Sequence, residues 1–267
     1  YGALAALDAG ANILNGTTNY PLLAPRTSAH SFSPFQVALD DTVTPRRLMR
    51  FQVTFTADNL FSRDTIVIPA GTPTVLYTDG ASAGLTNWTV APANTWGIIQ
   101  NDPAHPSRYF EESPLGTYTP SANSRLTLTP AFNFSNVVHA YAFYEAAWEL
   151  EENQDYGTIE ASTDGLTFFS VPATGTTPGS GMGFQTLGMP IYAGSRRVWQ
   201  PEIADLSSYT GAGKTAVRLR FRVRSNTSNN FDGMAFDSLR IAVYDPASQP
   251  GPTAVGDGPT PATIELS

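Results

Sequence analysis

Residues 216–244 read AVRLRFRVRSNTSNNFDGMAFDSLRIAVY. Val217, Leu219, Phe221 and Val223 alternate without a break with Arg218, Arg220, Arg222 and Arg224. A period of two belongs to a β-strand with one buried and one wet face. A turn rich in Ser, Thr and Asn follows, then Phe231-Asp232-Gly233, then a second strand through Met234, Phe236, Leu239, Ile241 and Val243. That strand carries Asp237 in its middle, where strands are depleted in acids. The alternation also fixes register, because a slip of one residue would bury the arginines.

Working outward, further strand candidates lie at residues 88–90, 96–99, 125–128, 137–148, 158–162 and 168–171. With the arginine strand and its successor this is a two-sheet sandwich of jelly-roll type over residues 73–244. Before it, residues 35–72 alternate at Phe35, Val37, Leu39 and again at Met49, Phe51, Val53, Phe55, which reads as a small, partly immunoglobulin-like β segment. Ala70-Gly71-Thr72-Pro73 marks the boundary between the two. Residues 1–34 read as a helix followed by a connecting segment. Leu4, Leu7 and Ala11 share one helical face, Ala is abundant, and Asn15-Gly16 supplies a stop. Residues 245–267 hold five prolines and form a Pro/Gly-rich tail, within which Thr263-Ile264-Glu265-Leu266 reads as a terminal strand for a sheet edge. The helix and the tail are the expected contacts for a homo-oligomer or filament.

The chain has 267 residues, a net charge of −8 and no cysteine. The charge disfavours nucleic acid. The lack of Cys excludes disulfides, thiolate metal sites and a cysteine nucleophile. No run of apolar residues is long enough to span a membrane, and no signal peptide opens the stretch. Low Lys with abundant Thr, Asn and Gly fits a secreted or cell-surface β protein. No catalytic constellation is recognisable: the three histidines, His30, His105 and His139, stand apart, and neither HExxH nor GxSxG occurs. Gly211-Ala212-Gly213-Lys214-Thr215 imitates the end of a phosphate loop, but position 208 is Ser. Sequons at Asn15, Asn87, Asn133 and Asn226 matter only in a glycosylating host.

Five segments in order resemble MAM-type jelly-roll modules at the C-terminal end of secreted bacterial peptidases: VLYTDGASAGLTNW (75–88), ESPLGTY (112–118), DYGTIEASTDGLTF (155–168), IADLSSY (203–209) and residues 220–241. The tail resembles the lead-in to a type IX secretion sorting domain, without its Asn-Pro-rich opening. The first residues resemble the last helix of a subtilisin-like catalytic domain. The resemblance implies an accessory module whose catalysis lies elsewhere. It also implies that Asp79, Glu112 and Asp237, at positions commonly acidic in such modules, meet around a structural calcium ion; calcium takes six to eight oxygen ligands.

Two surface features remain. Arg218, Arg220, Arg222 and Arg224 would repel one another on one sheet face unless answered. Either Glu145, Glu149, Glu151, Glu152 and Glu160 supply partners, or the stripe is a contact surface for an anionic polymer or subunit. Among the aromatics, Trp199 and Tyr192, near the Gly-rich loop 175–183, are the candidates for an exposed sugar-stacking or partner surface. The sequence therefore predicts an extracellular, all-β, non-catalytic interaction or adhesion module that meets protein or polysaccharide at a cell surface. A self-assembling structural subunit and a carbohydrate-binding module are the alternatives.

Overall fold

The computed structural model describes residues 1–22, 31–40, 43, 48–57, 60–70, 73–244 and 262–264. Strands dominate; among these residues the one helical element is a short 3-10 turn at Ser207–Tyr209. The chain divides into two compact units, Tyr1–Thr72 with Gln249–Ser267, and Pro73–Ser248.

The first unit contains β1 (Gly2–Ala6), β2 (Ala11–Asn15), β3 (Thr17–Thr18), β4 (Phe35–Leu39), β5 (Leu48–Ala57) and β6 (Leu60–Pro69). One sheet runs β3-β1-β5-β6; the other places β4 between β2 and the strand Ala262–Ile264. Leu4, Phe35, Val37, Met49, Phe51 and Val53 form its core. The expected N-terminal helix is thus replaced by two strands. Leu4 is buried, whereas Leu7, which a helix would place on the same face, is exposed. Helix propensity is a weak prior over so few residues. It loses here to a five-residue antiparallel ladder with β5. Gly10 closes the turn between β1 and β2 at a φ of 94°, with Val43 where a Cβ would stand, a geometry no helix interior allows. A terminal strand was expected near residue 263. It adds to the edge of β4 in the same unit. The remainder of the tail, and His30, lie outside the described residues.

The second unit contains β7 (Thr74–Asp79), β8 (Trp88–Ala91), β9 (Trp96–Ile99), β10 (Tyr109–Glu112), β11 (Asn123–Leu128), β12 (His139–Glu149), β13 (Tyr156–Ser162), β14 (Phe169–Ser170), β15 (Thr177–Pro178), β16 (Pro190–Ile191), β17 (Ser195–Asp205), β18 (Arg218–Arg224) and β19 (Gly233–Tyr244). A six-stranded sheet has the order β17-β12-β19-β10-β9, with β7 also on β19; a five-stranded sheet has the order β14-β13-β18-β11-β8. The two face each other across one core. Tyr144, Ala146, Phe236 and Ile241 come from the first sheet; Leu126, Ile159, Leu219 and Phe221 come from the second. The two strands of residues 216–244 therefore belong to opposite sheets, and Phe221 stacks on Phe236 with ring centroids 3.7 Å apart. β17 had no strand signature because Pro201 interrupts it; it lies at the sheet edge, where a missing N–H is tolerated.

Candidate functional site

Along β12 the side chains of Ala142, Tyr144, Ala146 and Trp148 enter the core, so period two sends Phe143, Glu145, Ala147 and Glu149 to the opposite, outer face. β19 does the same until Ser238. There a bulge with a φ of 55° places Ser238 and Leu239 against a single residue of β12, and the register shifts between Phe143 and Glu145. The bulge lets Phe236 and Leu239 both reach the core while Asp237 faces out, directly opposite Glu145.

On this outer face lies a cleft of about 540 Å³. Its floor is the small cross-strand pair Ala147 and Ala235, which leaves room above the sheet. Trp199 and Tyr109 form an aromatic wall, with ring centroids 5.0 Å apart and planes at 69°. Asp102, Glu111, Asp232, Glu149 and Arg197 supply charge around the opening, and Asn230 and Phe231 close one side. Tyr109 Oη donates to Asp102 Oδ2 at 2.8 Å, and Arg197 pairs with Glu149. Burial, reinforced by Asp232, Asp102 and Glu112, pushes the Glu111 carboxyl up to about 8. Burial above all also raises Asp232, and Glu149 adds to the effect. The cleft is therefore rich in acids, one of which holds its proton at neutral pH.

Beside the cleft, His105 ties the loop before β10 to the sheet. Its ring stacks on Trp199 at 3.9 Å and 19°, and Tyr109 meets it edge-on at 5.4 Å. His105 Nε2 lies 2.9 Å from Asp237 Oδ2, and Ser107 Oγ donates to the same oxygen at 2.6 Å. Ser238 N donates to Asp237 Oδ1 at 2.6 Å. Tyr109 and Glu111 alternate on β10, and His105 and Ser107 continue the same spacing through the bend before it. That parity was the available signal for them, but Pro106 and the loop composition masked it.

The residues expected to share a calcium ion do not converge. Asp79 accepts from Ala81 N at 3.0 Å, Tyr77 Oη at 2.8 Å and Trp88 Nε1 at 2.9 Å. Glu112 accepts from Ser113 Oγ at 2.8 Å, and burial pushes its carboxyl up to about 7 against the hydrogen bonds from Ser124 and Ser113. Among the described residues, the one cluster of three potential ligands is His105, Glu145 and Asp237. Asp79 and Glu112 are not members of that cluster.

The arginine stripe of β18 lies on the outer face of the other sheet. Glu160, opposite Arg220 on β13, pairs with both Arg220 and Arg222. Arg222 Nε also donates to Asn123 Oδ1 at 2.8 Å, and Arg218 donates to the Thr129 carbonyl at 2.9 Å. Phe168 covers Arg220 and Phe184 covers Arg224. Among the described residues, only Glu160 of the expected acids pairs with the stripe: Glu145 and Glu149 stand on the other sheet, Glu151 accepts from Asn226 and Asn229, and Glu152 is exposed with no ion pair to it. Tyr192 is not a surface residue. It is fully buried, its hydroxyl bonded to Tyr144 and Glu202, because its bridge to Gly157 carries the ring into the core against Trp148. Trp199 is half-buried, with its other flank in the cleft.

No protein-family model matches the chain, and no curated protein does. Among solved structures, the K1 cleaved adhesin domain of Lys-gingipain from Porphyromonas gingivalis W83 is similar at 18% identity and a TM-score of 0.38, covering 64% of this chain and 98% of that one. The K3 cleaved adhesin domain of the same protein has 11% identity and a TM-score of 0.38, covering 63% and 98%. The CBM22-1 xylan-binding domain of Xyn10C from Paenibacillus barcinonensis has 10% identity and a TM-score of 0.39, covering 66% and 98%.

Proposed function

We propose that this protein is a non-catalytic binding module that receives a polyhydroxylated polymer, a polysaccharide segment at a cell surface, in the cleft on the outer face of its six-stranded sheet. The observation that carries the reading is the aromatic wall of Trp199 and Tyr109 beside a ring of hydrogen-bonding groups over an alanine floor. Sugar rings present apolar C–H faces that stack on aromatic rings, and hydroxyl groups that bind carboxylates and amides. Asn230, whose buried Oδ1 has no partner among the described residues, and the protonated Glu111 carboxyl offer one acceptor and one donor for such hydroxyls. The module belongs, on this reading, to a larger extracellular protein of the adhesin or peptidase type.

Affinity electrophoresis against a panel of soluble polysaccharides, xylan among them, tests it. Trp199→Ala should weaken the retained interaction at least about tenfold, the equivalent of about 1.4 kcal/mol, while circular dichroism stays unchanged. Retention unaffected by the substitution, or no retention by any polymer, would overturn the reading.

A further inference from the structure

We infer that His105, Asp237 and Glu145 form a binding site for a divalent metal of the imidazole-preferring class, zinc foremost. The site is separate from the cleft and does not depend on what the cleft binds. Its ligand atoms, one imidazole nitrogen and two carboxylate oxygens, all lie within 4.8 Å of one another. A tetrahedral zinc ion, about 2.0–2.1 Å from each ligand, separates its ligands by roughly 3.3 Å. The present contact of 2.9 Å between His105 Nε2 and Asp237 Oδ2 needs to lengthen by only a few tenths of an ångström.

Electrostatics calls for a cation there. Glu145 and Asp237 are directly opposed across the β12–β19 ladder, and like charges in that relation repel. Asp237 is 1% exposed and His105 9%, so water screens little of the repulsion at that end. The Glu145 carboxylate makes no hydrogen bond or ion pair among the described residues. His105 Nε2 lies 2.9 Å from Asp237 Oδ2 and 2.8 Å from Ser107 Oγ, so no group of the cluster is left to answer Glu145. A metal bound by all three would satisfy both anions at once.

The cluster is also held in place from outside, as metal sites require. Ser238 N, presented by the bulge, fixes Asp237 Oδ1, and Ser107 Oγ fixes Oδ2. Trp199 stacks flat on the imidazole and sets its plane. The donor set selects the metal. One neutral imidazole with two carboxylates suits zinc and its first-row neighbours, whereas calcium and magnesium prefer oxygen donors in larger number. Three protein ligands is also the number found where zinc keeps a further position for water or a ligand.

The test is titration of the chelator-treated full chain with zinc chloride, read by calorimetry and by tryptophan emission, which the His105–Trp199 stack couples to the site. One zinc ion per chain is expected, with at least tenfold weaker binding in His105→Ala and in Glu145→Gln. Calcium at millimolar concentration should leave both signals unchanged. Thermal unfolding of Glu145→Gln guards against a folding artefact: without metal it should be more stable than wild type, because the opposed charge is gone, and zinc should stabilise wild type alone. Wild-type zinc affinity in Glu145→Gln, the absence of a one-site transition below millimolar zinc, or calcium binding that the same substitutions abolish would each overturn the assignment.

Discussion

The two outer faces of the larger unit carry opposite charge and hold it differently. On the five-stranded sheet, Arg218, Arg220, Arg222 and Arg224 line one strand; a single buried glutamate, Glu160, binds Arg220 and Arg222, while Phe168 covers Arg220 and Phe184 covers Arg224. On the six-stranded sheet, Asp102, Glu111, Glu149 and Asp232 come from separate elements and surround an open cleft. A stripe of like charge written on one strand can be answered by one residue on the neighbouring strand. Acids gathered from several elements around a cavity leave polar groups for a ligand to answer. The conspicuous pattern is therefore largely architecture, and the inconspicuous one is the better candidate for binding.

The largest expected effect tests the closed side. Glu160→Gln leaves the Arg220 guanidinium, whose side chain is 12% exposed, without its counter-charge. Removing one partner of a buried pair costs on the order of 3 kcal/mol, so chemical denaturation should show a loss of about that size. The matched change on the open side, Glu149→Gln, breaks a pair whose arginine side chain is 72% exposed, and solvent-screened pairs of that kind contribute little, so a far smaller loss is expected. Equal losses from the two substitutions would mean that the faces do not differ as described.

This contrast also accounts for what was legible in the sequence. The alternation from Val217 to Arg224 predicted the strand, its buried face and the burial of Leu219, Phe221 and Val223 correctly, since all of that is local. Partner choice is not local. Glu160 was one of five acids offered as partners for the stripe. Only the register of β13 on β18, with Glu160 opposite Arg220, singles it out. The cleft was harder still. Trp199 was named, but on a strand hidden by Pro201. His105, Tyr109 and Glu111 sit where a loop becomes a strand, and Asp232 read only as part of the Phe231-Asp232-Gly233 link between a turn and a strand. Tyr192 and the N-terminal helix failed for a related reason. A Gly-rich loop and an Ala-rich stretch have weak preferences of their own, so long-range packing decides their conformation.

A second, smaller effect probes the charge of the open face through pH. Burial and neighbouring acids push Glu111 up to about 8 from the ordinary 4.5. Between those values the folded chain keeps a proton that the unfolded chain has released. Stability contributed at this group is therefore fullest below about pH 4.5, falls as pH rises, and levels off above about pH 8. Glu112, pushed up to about 7, acts in the same direction over the lower part of the window. Melting temperatures measured across this range should decline for wild type and decline less steeply for Glu111→Gln, with a residual slope from Glu112. Parallel curves would show that Glu111 does not carry the raised value.

The smallest effect concerns the bulge that turns Asp237 outward. Ser238 sits at a φ of 55°, in the left-handed region that costs an L-residue about 1–2 kcal/mol. Ser238→Gly removes that cost but also frees the unfolded chain, a loss of roughly 0.5–1 kcal/mol. The first term is the larger, so stability in urea should rise by no more than about 1 kcal/mol. Ser238→Val enters the same conformation with a branched Cβ and should lose about 1–2 kcal/mol. The pair of substitutions separates backbone geometry from side-chain contacts, because Ser238 is exposed and its role here is carried by its N–H. If valine is tolerated as well as glycine, the bulge is not held at positive φ, and the register that opposes Asp237 to Glu145 loses its support. Denaturation of the two variants thus tests whether one strained residue on β19 sets the outward aim of Asp237, a feature for which the β18 face, with its unbroken alternation, has no counterpart.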